Sequence, residues 1–190
     1  MAELTPLAIS VLALLHERPM HAYEMYQLLL HRHNHRIVKT RPGSLYHTVE
    51  RLAGQEFVRA TGIERSGNRP ERTTYELTEA GADALRQRVE SGLETYAYEY
   101  PLFPVVLAEA HNLDQDDAVL RLRRRVEALD RLIAEEDGHE AEVRARGVPE
   151  PFWLTLGYLR SQLAAERDWL STTIERIESK DLPWHPRKKK

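Results

Sequence analysis

The stretch TRPGSLYHTVERLAGQEFV, Thr40–Val58, has the features of a short amphipathic helix followed by the start of a strand. Pro42 suits the first turn of a helix, and Gly54 suits its end. A buried side is predicted by three aliphatic residues with helical spacing, Leu45, Val49 and Leu52. The outward side then carries Ser44, His47, Thr48 and Arg51, with Tyr46 on its flank.

Two further helices are predicted upstream of this stretch. Thr5 and Pro6 provide an N-cap and a first helical residue, and the apolar residues that follow have amphipathic spacing up to about Glu17. A second helix is predicted over His21–Arg32, and the basic segment HNHRIVKT then leads to Thr40.

Two β-rich segments follow, over 57–63 and 73–77, and the glycine, asparagine and proline between them signal a turn. Thr78 is a suitable N-cap for another helix. Three helices, a strand, a basic loop and a strand form the order of a winged helix-turn-helix. The predicted fold class is therefore mainly α with a small β-wing, followed by a helical hairpin.

The charge of the chain is unevenly distributed. The formal net charge is −3, yet residues 31–75 contain 9 Lys and Arg against 4 Asp and Glu, a net of +5. A local excess of positive charge can attract a polyanion that the average charge would not. A solvated charged surface is the alternative interpretation, but this window coincides with the predicted helix and wing.

Three blocks of sequence resemble the PadR family of bacterial transcriptional regulators. They are PMHAYE at 19–24, RPGSLYHTVERL at 41–52 and GNRPERTTYELTEAG at 67–81. The C-terminal half is similar to the longer-tailed subgroup that includes virulence activators. Ala22 and Asn68 stand where the family commonly has glycine, and Glu71 adds an acid to a wing that is normally basic.

The outward chemistry of the central helix is typical of a helix that reads DNA in the major groove. Arginine fits a guanine edge, and serine, threonine and tyrosine donate to phosphate oxygens. The candidate DNA-binding residues are Lys39, Arg41, Ser44, Tyr46, His47, Thr48, Arg51, Arg65, Asn68, Arg69 and Arg72. Arg51 could instead pair with Glu50 or Glu24, and Tyr46 could pack under the wing.

The C-terminal half has the pattern of two long helices joined by a Gly/Pro turn. Apolar residues recur every three or four positions from Asp116 to about Arg146, and again after Pro151. The candidate dimerisation residues are Val119, Leu122, Val126, Leu129, Ile133, Leu156, Leu163, Leu170 and Ile177. One hairpin could bury both seams internally, but its small core for its length favours a homodimer, as does the family resemblance.

Aromatic residues cluster near the middle of the chain. Because some PadR-like proteins bind phenolic ligands, the resemblance implies a small aromatic effector, with Tyr96, Tyr100, Phe103 and Trp153 as candidate residues. Packing is the alternative for such a cluster. His31, His33 and His35 also alternate, but no carboxylate pattern completes a metal site, so we predict no metal and no cofactor.

The sequence also excludes several classes of protein. It has no cysteine, no glycine-rich phosphate loop and no nucleophile-elbow motif, so no catalytic residues are predicted. Its apolar runs are too short to span a bilayer and no signal peptide is apparent, which predicts a cytoplasmic protein without a membrane partner.

The expected domains are a winged helix-turn-helix over 1–90, a linker helix and junction over 91–113, a dimerisation domain over 114–180, and a mobile basic tail over 181–190. The expected function is a homodimeric repressor on a palindromic operator in double-stranded DNA. An activator of the same fold and a winged-helix protein-interaction module are the alternatives.

Overall fold

The structure is a computed structural model that describes residues 4–64 and 72–185. It divides into two compact units, Met1–Tyr98 and Glu99–Lys190. Most of the described chain is helical, and a small antiparallel sheet of three strands lies in the first unit. The predicted fold class, a winged helix followed by a helical hairpin, is confirmed.

Four helices form most of the first unit: α1 (Pro6–Glu17), α2 (Ala22–His31), α3 (Pro42–Gly54) and α4 (Glu79–Glu94). Two begin at the threonine caps predicted from the sequence. The hydroxyl of Thr5 accepts a hydrogen bond from the Ala8 N–H at 3.3 Å, and that of Thr78 accepts one from the Gly81 N–H at 3.0 Å. These bonds satisfy N–H groups that the first helical turn leaves without an intrahelical acceptor.

The sheet contains β1 (Met20–His21), β2 (Val58–Glu64) and β3 (Arg72–Leu77), in the order β1-β3-β2. The sequence predicted β2 and β3 but not β1, because a strand of two residues is too short to show alternation. The pairing of β2 with β3 shifts between Ala60 and Gly62, which marks a β-bulge there.

The first unit has a continuous apolar core between its helices and the sheet. Its buried side chains come from α1, α2, α3 and β2, and they include Val11, Leu12, Met25, Leu29, Leu45, Val49, Leu52 and Val58. At the surface, Arg32, the C-cap residue of α2, donates a bidentate pair of hydrogen bonds to Glu17 of α1. The Arg32 guanidinium thereby holds the pKa of the Glu17 carboxyl below its usual value.

The second unit contains α5 (Leu102–Ala108), α6 (Gln115–Ala145) and α7 (Leu154–Glu178). Within the predicted linker and junction, 91–113, α4 ends at Glu94 and the segment before α5 is not helical. Residues 181–185 belong to the tail that was predicted to be mobile, but the structure packs part of this segment against the second unit. Trp184 packs against the core of this unit, and its indole N–H donates to the Leu113 carbonyl at 2.9 Å.

Helices α6 and α7 pack along their apolar seams inside one chain. The buried residues of this core are Val119, Leu122, Leu129, Leu170, Ile174 and Ile177, with Val126 and Leu163 partly buried beside them. Ile133 is also buried and Leu156 is half-buried. This internal packing is the alternative that the sequence left open, since the two helices of the hairpin cover each other.

This packing makes Leu170 a stability residue of the hairpin. Replacing its fully buried side chain with alanine should lower the free energy of unfolding by about 2–5 kcal/mol, because it leaves a cavity. All three tryptophans, Trp153, Trp169 and Trp184, lie in the second unit, so denaturation followed by tryptophan fluorescence reports on this hairpin.

The matched control is Leu120→Ala, which removes an exposed leucine of α6. We expect it to change the free energy of unfolding by less than about 1 kcal/mol. Equal effects of the two substitutions would contradict the internal packing of the seams.

Candidate nucleic-acid interface

Helix α3 buries one side and exposes the other. Leu45, Val49 and Leu52 are buried, whereas Ser44, Tyr46, His47 and Arg51 are exposed. The His47 side chain is 87% exposed and lies at the centre of the outward side. Pro42 occupies the first position of the helix, as the sequence predicted. The structure therefore presents hydroxyl, imidazole and guanidinium groups on one accessible surface.

Thr48 was predicted to face outward, and this prediction is wrong. Only 8% of the residue is exposed, and its hydroxyl donates to the Ser44 carbonyl at 2.8 Å. Its position at 3.6 residues per turn lies next to the buried stripe rather than opposite it. A threonine can take such a position because its hydroxyl bonds to the carbonyl four residues before it.

Arg51 does not pair with either of the acids proposed for it from the sequence. Its Nη2 donates to the Thr5 hydroxyl at 3.2 Å. Glu50 instead lies 3.5 Å from His47 Nδ1, and Glu24 forms an ion pair with Arg18. Because Thr5 is neutral, its contact positions the Arg51 guanidinium without neutralising its charge.

The segment before α3 adds two cations to this surface. Lys39 and Arg41 are both exposed, and the extended backbone of Arg41 forms the N-cap position of α3. The first turn of a helix favours an anion, because its N–H groups and the helix dipole point outward there. The structure thus places Lys39 and Arg41 beside an end of α3 that suits a phosphate.

A cleft lies between the start of α2, the flank of α3 and the base of the wing. It has a volume of about 170 Å³, and its polar lining includes His21, Tyr23, Tyr46, Glu50 and Arg72. The guanidinium of Arg72 lies 5.2 Å from the centre of the Tyr23 ring. Tyr46 therefore flanks this cleft, close to the predicted wing residue Arg72.

His21 and Tyr23 belong to this surface but were not among the residues predicted from the sequence. Tyr23 is 48% exposed. The periodicity of α2 could have predicted this exposure, because Ala22, Met25 and Leu29 form the buried stripe of the helix. That stripe leaves Tyr23 off the core side.

Only some of the predicted wing residues lie in the described part of the chain. Arg65, Asn68 and Arg69 lie outside the described residues. At the base of the wing, Arg72 is half-buried, and Arg59 of β2 pairs with Glu76 of β3.

Two of the four candidate effector residues, Phe103 and Trp153, lie in different parts of the second unit. Phe103 packs in the second unit against Arg125, whose guanidinium lies 3.5 Å from the ring centre. Trp153 donates to the Val148 carbonyl and lies near Arg144, 19 residues further along α6, or about 28 Å by helical rise. Tyr96 and Tyr100 are exposed, and the Tyr96 ring meets that of Tyr98 edge to face.

Two negative findings concern the described part of the chain. Within it, no three histidine or acidic side chains are grouped so that they could hold a metal ion. None of the helices in residues 4–64 and 72–185 is both long and apolar enough to cross a membrane.

The arrangement defines a winged helix-turn-helix domain with an accessible third helix. Residues 11–87 match the family model of the Transcriptional regulator PadR-like family. The resemblance of this domain to the PadR-like family, noted in the sequence, is confirmed. No curated protein matches the chain by sequence.

Several solved structures are similar to this chain. Bacillus subtilis PadR in complex with operator DNA is 15% identical, with a TM-score of 0.75 over 91% of this chain and 99% of that chain. The same protein in complex with p-coumaric acid is 13% identical, with a TM-score of 0.72 over 92% and 98%. The PadR-like transcriptional regulator BC1756 from Bacillus cereus is 16% identical, with a TM-score of 0.65 over 92% and 99%. Because the sequence identities are low, the structural similarity to these proteins establishes the fold alone.

Neighbouring residues of α3 provide a test of which side of the helix meets a ligand. We expect His47→Ala to weaken binding to duplex DNA by about threefold to tenfold, because it removes a polar group from the outward side. Thr48→Val keeps the shape of a buried side chain and should change the affinity by less than about twofold. Fluorescence anisotropy measures both variants, and the reverse order would contradict this orientation of α3.

Proposed function

We propose that this protein is a DNA-binding transcriptional regulator that acts in the cytoplasm. The observation that carries the proposal is the orientation of α3, which buries Leu45, Val49 and Leu52 and leaves His47 and Arg51 accessible. The match to a family of transcriptional regulators supports the proposal. So does the similar fold of Bacillus subtilis PadR, which was solved with operator DNA.

In this proposal, α3 enters the major groove with its outward side against the base edges. Arg51 is the residue best suited to a guanine edge, since it presents several donors in a fixed plane. Lys39 and Arg41 contact phosphates and set the position of the helix without reading sequence. Arg65, Asn68, Arg69 and Arg72 of the wing contact the adjacent DNA.

The experiment that tests this function measures binding by fluorescence anisotropy across a series of salt concentrations. One duplex carries the sequence upstream of the gene for this chain, and the other carries the same bases in scrambled order. Nanomolar binding that prefers the first duplex and weakens steeply with salt supports an operator-binding regulator. Weak and equal binding to both contradicts it and favours a winged-helix protein-interaction module.

Two substitutions separate sequence reading from phosphate binding. Arg51→Ala should reduce affinity for the preferred duplex more than for the scrambled one, by about 1–3 kcal/mol of discrimination. Lys39→Ala should weaken both duplexes about equally and make the salt dependence less steep by about one unit of slope. If both variants bind DNA like the parent protein, α3 and the segment that precedes it do not belong to the DNA interface.

Homodimerisation forms part of the proposal, through a surface other than the seams. Exposed Leu154, Tyr158 and Trp169 lie on one side of α7, because their spacing of four and eleven residues returns to the same helical face. A dimer formed through this stripe would present two α3 helices to a palindromic site.

Trp169 is the residue of this stripe whose substitution tests the dimer. Trp169→Glu places a charge where an apolar contact is proposed, so we expect it to convert the dimer to a monomer in size-exclusion chromatography with light scattering. Trp169→Phe retains an apolar ring and should remain dimeric. A monomeric parent protein, or a dimeric Trp169→Glu variant with unchanged helicity, contradicts the proposed stripe.

We further propose that the dimer represses transcription by occupying a promoter and that a small aromatic molecule releases it. Support for the effector comes from Bacillus subtilis PadR, which was solved with p-coumaric acid. A phenolic acid added to the preformed DNA complex should lower its anisotropy. An activator would instead increase transcription from the same promoter in a reconstituted assay.

A further inference from the structure

His21 has a fixed hydrogen-bonding role at the start of α2. Its Nδ1 accepts a hydrogen bond from the Glu24 backbone N–H at 3.0 Å, which makes the imidazole the N-cap of the helix. A nitrogen that accepts this bond carries no proton. The neutral imidazole must therefore carry its proton on Nε2, so that Nε2 is a donor.

Arg72 presents a second donor to the same point. Its Nη1 lies 3.4 Å from His21 Nε2. A guanidinium has no acceptor, so with His21 in this tautomer both groups are donors and neither can accept from the other. The register of β1 with β3, which pairs His21 with Thr74, holds the two side chains together. The ring of Tyr23 also lies close to this guanidinium, which is 5.2 Å from the ring centre.

Two adjacent donors suit a shared acceptor, and the surroundings favour a negatively charged one. Arg72 contributes a positive charge, and the first turn of α2 contributes outward N–H groups and the positive end of its dipole. Glu50 also lines the cleft, but its carboxylate lies beside His47. An oxygen placed between His21 Nε2 and Arg72 would accept from both groups.

We propose that His21 and Arg72 form a two-donor clamp for a phosphate oxygen of the DNA backbone. The inference rests on the proposed function, since it assigns a further contact to the same interface. The cleft opens between α3 and the base of the wing, and Tyr46 of α3 forms another part of its wall. A DNA strand bordering the groove that α3 enters would pass this opening. The contact carries no base preference, because it is made to the backbone.

The two members of the clamp contribute differently to the dependence of binding on salt. Arg72 is charged, so its contact with phosphate releases a counterion from the DNA. His21 acts as a neutral donor and contributes a hydrogen bond without that release. Loss of Arg72 should therefore lower the slope of log affinity against log salt, whereas loss of His21 should lower affinity and leave the slope unchanged.

His21→Asn is the variant that separates the clamp from the cap. Asparagine is a good N-cap residue, so it can accept the Glu24 N–H and maintain α2, but it is too short to reproduce the Nε2 donor. We expect about threefold to tenfold weaker binding to both duplexes at every salt concentration, with the parental slope. Arg72→Gln should weaken binding and reduce the magnitude of the slope by about 0.9.

Circular dichroism and thermal unfolding establish that each variant remains folded. A folded His21→Asn protein that binds DNA with parental affinity overturns the clamp while leaving the proposed function intact, since the parent protein still binds. A parent protein that binds neither duplex instead overturns the proposed function. The two failures are therefore distinguishable in one set of titrations.

A second titration distinguishes a DNA phosphate from a small anion. Inorganic phosphate is added to the protein with ¹⁵N-labelled histidine, and the Nε2 resonance of His21 is followed. Saturation by inorganic phosphate, together with parental DNA binding by His21→Asn, assigns the site to a free anion and overturns the DNA contact. A Nε2 resonance that shifts with duplex DNA in the parent and is missing from the His21→Asn spectrum supports the clamp.

Discussion

The burial of one side of α3 is the constraint on which the interface depends. Leu45, Val49 and Leu52 pack into the core that α1 and α2 complete, and this packing fixes the rotation of α3 about its own axis. A helix turns by about 100° per residue, so this rotation determines the direction of every other side chain on it. His47 faces outward, and Thr48 faces inward, for the same reason. The accessible chemistry of the helix is thus a consequence of the apolar core.

The sequence predicted those features of the fold that are local. Thr5, Thr78 and Pro42 act at helix starts through bonds or dihedral preferences within a few residues, and the structure has all three at the predicted positions. The strand β1 was missed because its two residues gain their structure from pairing with β3, which is distant in sequence. Thr48 was misplaced because its polar side chain was taken to face solvent, although its helical angle puts it beside the buried stripe. The grouping of His21 with Arg72 depends on sheet register, which no local pattern reveals.

The hairpin illustrates a second limit of sequence periodicity. A seam of apolar residues every three or four positions predicts that a helix is covered on that side. It does not predict which helix or chain covers it. In this chain, Leu122 and Leu129 of α6 are covered by Leu170 and Ile177 of α7. In the proposed dimer, the surface that meets another chain is carried by residues outside the seam pattern. Single exposed apolar residues are common, so such a surface becomes visible only when their helical positions are compared.

The positive window of the sequence overstates the charge that the first unit can offer to DNA. Arg32 and Arg59 fall within this window, yet Arg32 pairs with Glu17 and Arg59 pairs with Glu76. Each of these arginines already neutralises a carboxylate of the same unit, so its approach to a phosphate would compete with that contact. Lys39, Arg41 and Arg51 differ, because they are exposed and the contact of Arg51 is to a neutral hydroxyl. Among the described residues, the cations of this window that suit a polyanion therefore include the few around α3, and in the proposed interface neutral donors such as His21 and Tyr46 help to fix its position.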